Sequence, residues 1–318
     1  MTFSRLPQLD RLFLTDAGLE SDMIFNKGFD LPCFSALMLL TTPAGREALD
    51  RYFRDFLDLA RQSGTGFLLE SATWRASADW AEGLGLTLEE LDSLNRTAVA
   101  MLRALRSEYV SEALPIVVSG CIGPRGDGYV PGRIMSLTEA HAYHSRQAAV
   151  LASAGADMLS AITMTNVNEA AGIALAAQQA GLPVAISFTV ETDARLPTGD
   201  RLAEAIAAVD AATRGYPAYY MVNCAHPSHF ADALNGGDAW TGRVRGIRAN
   251  ASRCSHAELE AMTTLDDGSP AELGNDYREL MERLPHLTVL GGCCGTDIRH
   301  IAAIAAACVP RTAATLAA

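Results

Sequence analysis

Seven cysteines punctuate this 318-residue chain, and three stand where a metal ion could use them. Cys293 and Cys294 are adjacent in "LTVLGGCCGTD", between glycines, and Cys224 follows Asn223 in "MVNCAHP". Neighbouring side chains in extended backbone point opposite ways, so packing alone gives no reason for a cysteine pair. Flanking glycines let the turn bend until both thiols face one point. Three thiolates at zinc–sulfur distances of about 2.3 Å leave a fourth tetrahedral position open, which is the pattern of catalytic rather than structural Zn2+. A thiol entering that position loses its proton, because the cation favours the thiolate. So many thiolates make the zinc a poor electrophile towards water while the bound sulfur stays nucleophilic. The chemistry indicated is S-alkylation rather than hydrolysis.

Other readings of the same turn are small core residues, a vicinal disulfide, or a phosphate cradle at a helix N-terminus. Cys33, Cys121, Cys254 and Cys308 read as inert thiols. His226 and His229 read as the opening of a helix, and His141 and His144 as residues on a helix surface.

These cysteines lie far apart in sequence, so the fold must gather them. Short apolar runs alternate with longer helical patterns. The expected strands are Leu12–Thr15, Gly66–Glu70, Pro115–Gly120, Asp157–Thr163, Pro183–Val190, Ala218–Asn223, Arg243–Ala249 and Leu287–Gly292. Helical patterns follow each strand. One has Thr42 as N-cap, Pro43 in the first turn and Gly64 at its end. Another carries a capping box from Thr87 to Glu90. Strand–helix alternation implies parallel strands joined by right-handed crossovers. Eight such units predict an α/β fold, a closed (β/α)8 TIM barrel in a single domain spanning residues 1–318. An open doubly wound sheet would want a G-x-G-x-x-G turn after an early strand, and the sequence has none.

A barrel of this kind places its site at the C-terminal strand ends. Those ends carry Asp16, Glu70 to Arg75, Cys121, Thr163, Thr189 to Glu191, Asn223-Cys224, Arg248 to Asn250 and Cys293-Cys294. Strands six and eight are separated by one strand, so at about 4.8 Å per step their ends lie roughly 10 Å apart, close enough for the sulfurs to converge.

Composition narrows the partners. The formal net charge is −12, with no basic block, which disfavours nucleic acid and anionic membrane. No run of 18 apolar residues and no apolar leader appear, so a cytoplasmic protein is expected. Whether the chain forms a homo-oligomer is left open.

"MVNCAHP" with "GGCCGTDIRHI" resembles the homocysteine S-methyltransferase family of zinc-dependent thiol methyltransferases. "LTDAG", "GCIGP" and "SFTVETDARLPTGDRLAEAI" extend the resemblance along almost the whole chain. It implies zinc held by Cys224, Cys293 and Cys294, and methyl transfer to a zinc-bound thiol such as homocysteine. The chain length implies a small sulfonium donor like S-methylmethionine, with an ammonium donor as the lesser choice. Asp16, Trp74, Arg75, Thr163, Glu191 and Asn223 are the expected substrate-binding residues, with Trp74 as an aromatic wall for the donor cation.

The sequence departs from the family pattern in three places. The first strand ends Asp16-Ala17-Gly18 instead of Asp-Gly-Gly. Ile162 replaces the glutamate of Glu-Thr-Ile-Pro, which helps hold the homocysteine amino group. Trp74-Arg75 adds a cation beside the metal. An arginine gained and a glutamate lost suggest a carboxylate-bearing substrate clamped by Arg75; the alternative pairs Arg75 with Glu70 or Glu191. Rival functions are a demethylase-type reaction on another methylated sulfur compound, and a non-catalytic zinc or redox-sensing barrel.

Overall fold

The computed structural model describes residues 6–234 and 237–310. Eight parallel strands close on themselves in sequence order. They are β1 Phe13–Thr15, β2 Gly66–Glu70, β3 Ile116–Ile122, β4 Met158–Met164, β5 Val184–Phe188, β6 Tyr219–Asn223, β7 Val244–Ala249 and β8 Val289–Gly292. The ring closes where Phe13 and Leu14 of β1 pair with Val289 and Leu290 of β8. The expected barrel is therefore the observed one. Strand ends move by a residue or two, and β3 runs on through Cys121 and Ile122.

The helices begin and end where local chemistry dictates. The Thr42 hydroxyl accepts from Gly45 N–H, and Gly64 ends the helix Pro43–Ser63 at φ 69°. Thr87 and Glu90 form the expected capping box on Leu88–Tyr109. After β6 the helix is one turn only, Pro227–Phe230, shorter than its sequence pattern suggests. His226 is its N-cap, with Nδ1 accepting from Ser228 N–H.

One expectation fails on the outer layer. His144 does not lie on a helix surface: it is fully buried, with Nε2 2.9 Å from Glu169 Oε1. The cause is close helix packing. A Cβ on Gly172 would come 2.5 Å from the Cβ of Ala140, so the helices Leu137–Ser153 and Val167–Ala180 touch nearly backbone to backbone and cover the histidine between them.

Alternation along the strands makes two cores. Outward residues such as Leu14, Phe67 and Leu69 pack under the helices. Inward residues Phe13, Leu68, Val117, Met158, Tyr219, Met221 and Val289 fill the barrel itself. Gln8, in the turn Pro7–Leu9, closes the lower end by donating to Met158 Sδ and Tyr219 Oη. This plug leaves space for chemistry only at the opposite end.

Candidate metal centre

Above the plug is a cavity of about 290 Å³, enough for a ligand of amino-acid size. Cys224, Cys293 and Cys294 stand together on its wall. Their Sγ atoms lie within 4.8 Å of one another, and Cys224 Sγ is 3.9 Å from Cys294 Sγ. Zinc–sulfur bonds of about 2.3 Å require sulfurs roughly 3.8 Å apart in a tetrahedron. The residues therefore fit the ion in both donor type and spacing. Among the described residues no other group of three metal-ligating side chains lies this close. All seven cysteines are free thiols, so the vicinal-disulfide reading fails. The phosphate-cradle reading fails too. Gly295 N–H donates to Ser21 Oγ, Thr296 N–H to the Cys293 carbonyl, and Arg299 N–H to the Asp297 carboxylate that caps the next helix.

Backbone strain aims one of these sulfurs. Cys224 has φ +52°, and Thr163, at the end of β4, has φ +65°. Left-handed backbone costs an L-residue about 1–2 kcal/mol, and more for a β-branched one. Asn223, fully buried, offsets it. Its Oδ1 accepts from Thr163 N–H at 3.0 Å and Ser187 Oγ at 2.6 Å. Its Nδ2 donates to Thr163 Oγ1 at 2.8 Å and points at Cys293 Sγ, 3.8 Å away. One amide thus ties β4, β5, β6 and the cysteine turn together. Asn223 lies beneath the cavity rather than on its wall.

The paired-cysteine turn is fixed from the other side. A Cβ on Gly18 would sit 2.4 Å from the Cys293 carbonyl oxygen, so only glycine lets the loop after β1 lie against the turn. Gly295, at φ +77°, reverses the chain into the following helix.

Tyr129, from the loop after β3, closes over the sulfurs. Its hydroxyl is 3.4 Å from Cys294 Sγ, and its ring stacks on His256 at 3.9 Å. Hydrogen bonds from Cys224 and Cys293, with a further one from Tyr129, hold Cys294 well below the ordinary thiol range despite burial. The bond with Cys224 lowers the Cys293 thiol, but the bond with Cys294 and burial outweigh it and push the thiol up to about 12. His256 Nε2 is 2.5 Å from the Cys224 carbonyl, and Nδ1 is 3.2 Å from Glu191 Oε1. Glu191 therefore sits behind the sulfurs, against His256, and not among the residues of the cavity wall.

Across the cavity is a charged group that sequence spacing did not assemble. Arg248, buried, donates Nη2 to Asp16 Oδ1 at 2.7 Å and Nη1 to Glu70 Oε2; its Nε donates to the Gly292 carbonyl. Tyr52 donates its hydroxyl to the other Asp16 oxygen. Burial pushes Asp16 up to about 6 even with Arg248 against it. Asp16, Glu70 and Arg248 each end a strand or begin the next loop, positions the sequence did mark, whereas Tyr52 comes from the helix Pro43–Ser63; their mutual neutralisation depends on barrel closure.

Arg75 finds neither expected partner. Its Nη2 donates to Asp127 at 3.1 Å and its Nη1 to the Cys33 carbonyl at 2.9 Å. The guanidinium lies 4.9 Å from the Trp74 ring and 4.6 Å from the Trp80 ring, so one aromatic wall already carries a cation. Trp74 Nε1 donates to the Ile162 carbonyl, and Trp74, Ile162 and Thr163 all line the cavity. Glu20 lines it as well, in the turn after Gly18, and had no signal in the sequence motifs.

A family model described as homocysteine S-methyltransferase matches residues 13–308. A selenocysteine Se-methyltransferase of Brassica oleracea var. italica is 27% identical over 244 residues, covering 70% of this chain and 67% of its own. Homocysteine S-methyltransferase 2 of Arabidopsis thaliana is 23% identical over 324 residues, covering 94% of this chain and 93% of its own. Among solved structures, the metallated form of the homocysteine methyltransferase MmuM from Escherichia coli superposes with a TM-score of 0.71 at 22% identity, covering 93% of this chain and 96% of that one.

Proposed function

The chain belongs to the homocysteine S-methyltransferase family and is a methyltransferase, and on that premise we propose that it moves a methyl group from a small sulfonium donor to the thiol of homocysteine, using Zn2+ held by Cys224, Cys293 and Cys294. The observation that carries this reading is the meeting of three thiols, from two strand ends, on the wall of one amino-acid-sized cavity. Bound zinc supplies a Lewis acid that keeps an acceptor sulfur deprotonated at neutral pH.

The chain's own residues set the geometry of the transfer. Asn223 and Thr163 hold the Cys224 and Cys293 sulfurs in place from below. The Tyr129 hydroxyl stabilises negative charge on Cys294. Ile162, Ala17 and Ala72 give the cavity apolar patches that exclude water from the reacting sulfur. Arg75 lines the cavity, and we assign it to a substrate carboxylate; its Nε is buried without a partner among the described residues. The acceptor thiolate attacks the donor methyl carbon. The donor carbon–sulfur bond breaks with its electron pair staying on the donor sulfur, so a sulfonium becomes a neutral thioether. Alignment of the two sulfurs about one carbon supplies most of the acceleration.

The reading is tested by metal analysis of protein purified without oxygen, followed by methyl transfer from S-methylmethionine to homocysteine measured by mass spectrometry. About one zinc per chain and formation of methionine support it. Full zinc content with no methylation of any thiol acceptor defeats it.

A further inference from the structure

The cavity contains more negative charge than its own cations neutralise. Asp16 is held by Arg248 and Tyr52, and Glu70 by Arg248. Asp127 has Arg75 and the N–H groups of Tyr129 and Val130. Glu20 differs from all three: among the described residues no other residue's side chain pairs with its carboxylate, which has only its own backbone N–H, although it lines the same wall as the sulfurs. Burial pushes it up to about 7; its own backbone N–H lowers it in part, Asp16 and Cys293 add to the rise, and Arg248 offsets it least.

Its position is fixed rather than accidental. Gly18 presses against the Cys293 carbonyl. Ser21 Oγ donates to the Gly18 carbonyl at 2.9 Å and accepts from Gly295 N–H at 3.2 Å. Glu20 lies between these two anchors, so the loop after β1 delivers a carboxylate directly beside the paired-cysteine turn. On the opposite side, at the end of β4, the cavity wall is the hydrocarbon side chain of Ile162. Glu260, on the same wall, is exposed to solvent, so a cationic group held within the cavity, with the acceptor sulfur at the cysteines, finds its counter-charge on the β1 side.

Resting on the methyltransferase reading above, we propose that Glu20 is the specificity residue that binds the α-ammonium group of the acceptor amino acid. It gives the uncompensated carboxylate a counterion and gives the ammonium a partner that Ile162 cannot supply.

The test compares homocysteine with 4-mercaptobutanoic acid, the same thiol acid without its amino group, in zinc-loaded wild type and Glu20→Gln. Steady-state rates are measured with S-methylmethionine, and Kd for each acceptor by calorimetry without donor. A charge-assisted hydrogen bond of ordinary strength predicts that Glu20→Gln raises KM and Kd for homocysteine roughly 10- to 100-fold. The kcat should stay within about twofold, and 4-mercaptobutanoic acid should bind and react as before. Unchanged constants for that acid also verify that the variant is folded. An unaltered Kd for homocysteine, or an equal loss for both acceptors, overturns the assignment. Failure of the wild type to methylate homocysteine would instead defeat the parent reading, and the calorimetric comparison still decides whether Glu20 recognises an ammonium.

Discussion

The two ends of the barrel interior are built on opposite principles. The lower end is filled by Phe13, Met158, Tyr219, Met221 and Val289, whose contacts are non-directional. The upper end holds three thiols, Arg248 with Asp16 and Glu70, and the strained backbone of Thr163 and Cys224. Packing tolerates exchange of one apolar shape for another, because each contact contributes little. A buried charge or a metal ligand has a single partner geometry, and its loss leaves the partner uncompensated. The lower end can therefore vary without consequence for chemistry, while the upper end cannot.

The largest expected effect is at the sulfurs. Cys294→Ser should drop the metal content from about one per chain to near zero. Methyl transfer should fall more than about 100-fold, beyond the range typical of changes in the groups that merely orient ligands. Zinc retained at full stoichiometry would place the metal elsewhere and remove the contrast between the two ends. Arg248→Met comes next. It strips Asp16 and Glu70 of their shared cation and should destabilise the fold by about 3–5 kcal/mol, read from urea unfolding. A neutral outcome would mean that the charged layer is as forgiving as the plug.

Asn223→Ala sharpens the comparison, since it removes a brace and no ligand. Metal affinity, measured by competition with a chromogenic chelator, should weaken roughly 10- to 100-fold with the barrel still folded. The smallest effect belongs to the lower end. Met221→Leu conserves volume within a fully buried site and should cost less than about 1.5 kcal/mol. Its zinc content and turnover should match the wild type; loss of either would show that the plug and the site are coupled.

Much of this arrangement is legible in the residues themselves. Periodicity and caps identify eight strands with their helices, because local sterics and hydrogen bonding decide them. The glycine-flanked cysteine pair marks a candidate metal site, since no packing need explains it. Asn223 and Glu191 were legible only as residues near the site. Asn223 is a brace under the sulfurs, and Glu191 stands behind His256. Arg75 was read as a substrate clamp or as a partner of Glu70 or Glu191; its protein partner is instead Asp127 in the loop after β3, whose placement no local signal encodes. Tyr129, in the same loop, was invisible for the same reason.

The sequence by itself determined the alternation of elements, the closure of the barrel and the sulfur donors, because each follows from short-range chemistry repeated along the chain. Only the tertiary structure decided which charges meet. Arg248 pairs with Asp16 and Glu70 across 232 and 178 positions, whereas Glu20, only four residues after Asp16, has no counterion among the described residues. Electrostatic pairing depends on distance in space and on exclusion of water, and neither exists until the ring of strands has closed.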